Sequence, residues 1–176
     1  SIRPVLAHEA VHDPARGAPR ERAGERGGAA RAQRLAVLVD ESGSTLTEMV
    51  GIGTVTAAEL LVEVNDPSRF ATESKFARWC GIACVAVSSG EGDDEPAQHR
   101  LDLLGNRQVN RILHGISVTQ SRCKHAPAVD YLERKRGAGK SKREARRAHK
   151  RQLANRIIRH MWADQRRRNE HLAAAA

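Results

Sequence analysis

Met49-Val50-Gly51-Ile52-Gly53-Thr54-Val55-Thr56-Ala57-Ala58-Glu59-Leu60-Leu61 sets two glycines, two positions apart, in front of a run of helix formers. The glycines permit a tight turn, the helix that follows runs to Val64, and Asn65-Asp66-Pro67 stops it. A turn of this kind, flanked by helical segments, suits the hairpin of a helix-hairpin-helix. There glycines let backbone amides approach a phosphate, and the next helix offers its positive N-terminus. The alternative is a plain helix-helix turn that needs glycine for positive φ. Phosphate contact at Gly51, Gly53 and Thr54 would position nucleic acid without reading its sequence.

Working towards the C-terminus, a short helix is predicted over about Thr72 to Cys80, with Gly81 as its stop and Phe76 and Trp79 on one face. Ile82 to Val87 is apolar and β-prone, either a strand or a buried loop. A long helix starts near Asn106 and ends before Pro127; Val109, Ile112, Leu113 and Ile116 have its core spacing. Pro127 opens another, to about Arg136. Ser141-Lys142-Arg143-Glu144 has capping-box spacing, and the final helix repeats Leu153, Ile157 and Met161 every four residues. Working back from the opening stretch, Leu35 to Met49 has helical character weakened by Gly43. Residues 1–34 carry Pro4, Pro14 and Pro19, several glycines and almost no large apolar side chains past Leu6, so they read as a disordered basic leader. The expected organisation is a mainly α, small helical domain over 35–165, with a helix-hairpin-helix-like element, between that leader and a flexible tail at 166–176.

The chain has 176 residues, 40% of them hydrophobic and only 3% aromatic, so its core rests on Leu, Ile, Val and Ala. The net charge is +9, and fifteen of the 30 Lys and Arg residues lie between Arg134 and Arg168 against two acids, Glu144 and Asp164. A polyanion is the expected partner, held by Lys142, Arg143, Arg146, Arg147, Lys150 and Arg151 on one surface of the last helix. The other reading is a solvated helix docked by its apolar seam. No stretch is long and apolar enough to span a bilayer, and Ser1 to Ala10 lacks the pattern of a signal peptide, so a cytoplasmic chain with no membrane role is expected. Three cysteines suit a reducing compartment. The thiols of Cys80, Cys84 and Cys123 read better as buried small hydrophobes than, with His125, as a zinc site, and Asp93, Asp94 and Glu95 as solvated carboxylates; no metal ligand is assigned. Ser88-Ser89-Gly90 is either an ordinary turn or a serine nucleophile exposed by the glycine after it.

Taken in order, Val50-Gly51-Ile52-Gly53 with Thr56-Ala57-Ala58, Asp66-Pro67 with Arg69-Phe70, Phe76-Ala77 with Gly81-Ile82-Ala83, Ser88-Ser89-Gly90, Arg100-Leu101, and Gly105-Asn106-Arg107 with Asn110-Arg111 and Leu113 form one linked series. In order and spacing they resemble the C-terminal domain of the IS-one-ten family of insertion-sequence transposases, over about Arg34 to Trp162. The resemblance implies DNA transposition by a recombinase of two cooperating parts. A RuvC-like N-terminal domain supplies acidic residues for a divalent metal such as magnesium, and the C-terminal domain supplies a serine that attacks a DNA phosphodiester. It also implies a structured guide RNA and a homo-oligomer of the full-length protein. The family serine corresponds to Ser89, with Ser88 as the fallback. Arg107 and Arg111 join the expected nucleic-acid contacts. Residues 1–34 show no acidic pattern of the RuvC-like kind, and Glu91 stands where relatives carry a basic residue. The expectation is therefore an incomplete copy with no cofactor of its own, inactive alone; the alternative function is a non-catalytic nucleic-acid-binding helical protein.

Overall fold

The computed structural model describes the backbone of residues 21–87, 98–101 and 105–175, and side chains over 28–83 and 105–175. Within these residues the architecture is mainly α. Six helices run in order: α1 (Glu21–Glu41), α2 (Thr54–Val64), α3 (Glu73–Trp79), α4 (Arg107–Arg122), α5 (Ala126–Gly137) and α6 (Lys142–Ala175). A two-stranded antiparallel hairpin, β1 (Cys84–Val87) and β2 (Gln98–Leu101), stands between α3 and α4, with Cys84 opposite Leu101 and Val87 opposite Gln98. The β-prone run after Gly81 is thus a strand over its last four residues.

Helix α6 is the spine. Its 34 residues span roughly 51 Å at 1.5 Å each, and α3, α4 and α5 all pack on it. Ala145, His149, Leu153, Ala154, Ile157, Ile158 and Met161 form its buried seam, which contains the expected four-residue repeat. Against it lie Leu46, Leu60, Phe76, Leu113 and Ile116, each at most 2% exposed. Phe70, Phe76 and Trp79 make an aromatic cluster with ring centroids 5.0–5.8 Å apart. Arg69 lies 4.6 Å from the centroid of Phe70 and 4.7 Å from that of Trp79.

The caps explain the helix starts. The Thr72 hydroxyl accepts from the Lys75 amide at 3.2 Å, and the Asn106 carboxamide accepts from the Val109 amide at 3.0 Å. At Ser141 the expected capping box closes both ways. Glu144 Oε2 accepts from the Ser141 amide at 2.9 Å, and Ser141 Oγ accepts from the Glu144 amide at 3.3 Å. Pro127 sits in the first turn of α5, where its missing N–H leaves no bond unmade.

Two boundaries differ from the sequence reading. Helix α1 begins at Glu21, inside the stretch read as a leader, and α6 continues to Ala175, through the stretch read as a flexible tail. Ala and Arg dominate both stretches, and their backbone preference is helical even where little is buried. Residues 28–34 are exposed, and α1 first reaches the core at Val39. Near Gly43, whose φ is +65°, α1 ends, and a 3-10 turn (Leu46–Glu48) replaces the continuous helix considered up to Met49. Residues 1–20 lie outside the described residues.

Candidate nucleic-acid interface

The turn between the 3-10 segment and α2 is pinned from below. Met49 and Ile52 are buried, the Ile52 amide donates to the Met49 carbonyl at 3.0 Å, and the Gln120 side chain donates to the Val50 carbonyl at 2.6 Å. Its two glycines have different tasks. Gly51 has φ +86°, and a Cβ there would stand 3.3 Å from Gln120 Cγ and 3.4 Å from the Ile116 carbonyl oxygen. It therefore serves the turn and its packing on α4. Gly53 is exposed and is the N-cap of α2; a Cβ there would meet nothing within 4 Å.

No side chain caps α2, and its first turn holds no acid. Its leading amides and the positive end of its dipole are thus left without a built-in anion. Thr54 is half-buried at this end. A cleft of about 350 Å³ adjoins it, lined by Gly51, Thr56 and Glu59 on one side and Arg111, Gly115 and Thr119 on the other. Arg111 is exposed, and its guanidinium donates to Gln108 at 3.0 Å. Arg107 is exposed one helical turn earlier, at the start of α4, where the helix dipole disfavours a cation.

The basic residues of α6 do not share one surface. They flank its buried seam on two sides, because Ala145 and His149 turn inward between them. Lys142 and Arg146 face α5 and the end of α4 across a groove of about 460 Å³ that also contains Asp130 and Glu133. Arg147 and Arg151 face α3 across a second cleft, of about 580 Å³. Arg143 is exposed. Lys150 is half-buried and donates to Asn110 Oδ1 at 2.8 Å; burial and Arg147 lower its pKa. That lysine is drawn into the fold by a neighbour forty positions away, which no local pattern displays.

Several quoted motif residues turn out to build the scaffold. Asn106 donates to Glu63 at 2.7 Å, and its amide donates to the Trp79 carbonyl at 2.6 Å. Asn110 donates to the carbonyls of Cys80 (3.2 Å) and Gly81 (2.9 Å). Sequence reasoning missed a buried pair, Ser117 Oγ and His149 Nδ1, 2.9 Å apart, and the part that Arg78 and Lys140 take in the second cleft. It also missed Asp164, which is 2% exposed and accepts from the Thr45 amide at 3.0 Å and hydroxyl at 2.8 Å, and pairs with Arg167. Burial lowers the His149 pKa to about 4, aided by Arg146, Arg156 and His125.

Ser88 and Ser89 lie outside the described residues, as does the acidic cluster at Asp93, Asp94 and Glu95. Cys80 is buried, as expected, and burial raises its thiol pKa; Cys123, expected to be buried as well, is exposed at the C-terminal end of α4. Among the described residues no group of three or more His, Cys, Asp or Glu side chains is placed to hold a metal ion. No described helix is long and apolar enough to cross a membrane.

The chain is 34% identical over 105 residues to the "Insertion element IS110 uncharacterized 43.6 kDa protein" of Streptomyces coelicolor, a match covering 57% of this chain and 24% of that relative. The chain thus spans about a quarter of the relative's length. Residues 43–133, from the end of α1 to most of α5 and including the α2 turn and α4, match the Transposase IS116/IS110/IS902 family, more than half of the chain. The chain belongs to the Transposase IS116/IS110/IS902 family.

Proposed function

We infer that this chain is a nucleic-acid-binding segment of a transposase and acts in DNA transposition by gripping phosphate backbone. One observation carries the reading: the uncapped, acid-free N-terminus of α2, with Gly53 leaving open space in front of it and Arg111 across the adjoining cleft. Backbone amides and a helix dipole then meet a phosphate at the head of α2, and the Arg111 guanidinium, across the cleft that Gly51 and Thr56 line, adds a second contact along the strand. The segment from α1 through the 3-10 turn and Gly51 to α2 serves as the helix-hairpin-helix-like element, with Gly51 building the turn and Gly53 opening it. Lys142 and Arg146, on the α5 side of α6, add contacts that position rather than read. The partners are DNA and a structured guide RNA, in a homo-oligomer of the longer protein.

The reaction assigned by the resemblance is phosphoryl transfer at Ser89. Its Oγ gives up its proton and bonds to phosphorus, the bond from phosphorus to one sugar oxygen breaks, and the released sugar oxygen takes up a proton to become a hydroxyl. Ser88 is the alternative nucleophile. The described residues offer no ligand set for the magnesium of a RuvC-like domain, so no step here runs through it.

The test is Gly53→Asp. Aspartate is a favoured N-cap, and the site has room for it, so the fold should hold or gain a few tenths of a kcal/mol. The added carboxylate would repel phosphate, and duplex affinity should fall about tenfold. Unchanged affinity in a normally folded variant would remove the α2 turn from the interface.

A further inference from the structure

The cleft between α3 and α6 has a character that duplex backbone does not require. Its floor is apolar: Ile82, which is 4% exposed, and Ala148. Its rim is cationic: Arg78 at the end of α3, Lys140 just after the Gly139 turn, and Arg147 and Arg151 one helical turn apart on α6. The Arg151 guanidinium is steadied by a bond to Ser74 Oγ at 3.1 Å. The one acid among the described lining residues, Glu144, has its carboxylate held by the Ser141 amide and hydroxyl at 2.9 and 2.6 Å. Four cations therefore surround an apolar recess of about 580 Å³, within the range of small-ligand pockets.

A duplex offers a protein phosphates on a convex rod, with its base faces stacked inside. A flat basic surface suffices for that, and an apolar floor gains nothing. An unpaired nucleotide offers a phosphate together with an exposed base face, which gains from leaving water. Guanidinium planes are flat surfaces on which a base stacks, and the rim supplies them without an aromatic ring. We propose that the α3–α6 cleft holds an unpaired nucleotide of a nucleic-acid strand, its phosphate on Arg147 and Arg151 and its base over Ile82 and Ala148. This rests on the nucleic-acid reading above and assigns to unpaired strand a site distinct from the α2 turn.

The experiment measures binding of the full chain to fluorescent oligo-dT, oligo-U and a DNA duplex of equal length, over a salt series. Arg147→Gln should weaken strand binding about tenfold and reduce its salt slope by about 0.7, leaving duplex affinity within about twofold. Gly53→Asp should do the reverse. Lys140→Gln, in the linker before α6, repeats the test if Arg147→Gln melts early. The tighter of the dT and U strands identifies DNA or RNA as the source, and equal binding assigns the site to either. If Arg147→Gln and Lys140→Gln weaken strand and duplex alike, or neither, the cleft is not a site for unpaired strand while the α2 reading stands. A wild-type chain that binds none of the three probes overturns both.

Discussion

Gly105 and Gly81 meet backbone to backbone. A Cβ on Gly105 would stand 2.1 Å from both Gly81 Cα and Gly81 N, and 2.9 Å from the Cys80 carbonyl carbon. No flexible side chain is there to yield. Gly105→Ala should therefore cost 3 kcal/mol or more, above the usual overpacking range of about 1–3 kcal/mol. A urea midpoint equal to wild type would contradict this. His149 gives a second prediction at this scale. Its ordinary pKa of 6.5 falls to about 4 in the fold, so the unfolded chain binds more protons between those values. Stability from the neutral, buried ring is fully present above pH 6.5 and drains away as pH falls towards 4. His149→Gln, which retains a polar partner for Ser117, should flatten that loss; thermal melts across this range check it, and parallel curves for the two proteins would refute it. Neither feature shows in the sequence. Gly105 stands out only as part of the Gly105-Asn106-Arg107 motif and His149 lies unmarked among basic residues, and each owes its role to a residue at least 24 positions away.

At the scale of elements, local chemistry decides the helix ends. Ser141→Ala removes one half of the capping box at the head of α6 and should cost about 1 kcal/mol, read as a lowered melting temperature; an unaltered melt would mean that α6 is held by its seam alone. Starts at Thr72, Asn106, Pro127 and Ser141 were legible because each cap acts within four residues. The start of α1, the 3-10 turn and the exact bounds of the hairpin were not, because no cap or apolar period marks them. The basic helix shows the same limit. Charge spacing displays a single cationic surface, but the inward turn of Ala145 and His149 divides it, and Asn110 claims Lys150. Of the expected contacts, Gly51 and Arg111 come together at one cleft and Arg147 and Arg151 at another, while Gly53 heads α2 beside the first cleft and Lys142 and Arg146 face a groove of mixed charge.

At the scale of the whole molecule, the chain carries a net charge of +9, and half of its 30 Lys and Arg residues lie between Arg134 and Arg168. The long-range ties Asp164 to Thr45, Trp162 to Pro67 and Arg159 to Glu73 fasten the outer part of α6 to the segments that bear the α2 turn and α3. Both clefts are thereby held by one spine, as expected of a surface that positions a long polyanion. The central claim is that phosphate contacts made by this chain hold nucleic acid, and the salt dependence of duplex binding tests it most directly. Roughly four contacts predict that log K falls linearly with log salt at a slope of about −3 to −4. A slope near zero, or no binding even at low salt, would contradict the account.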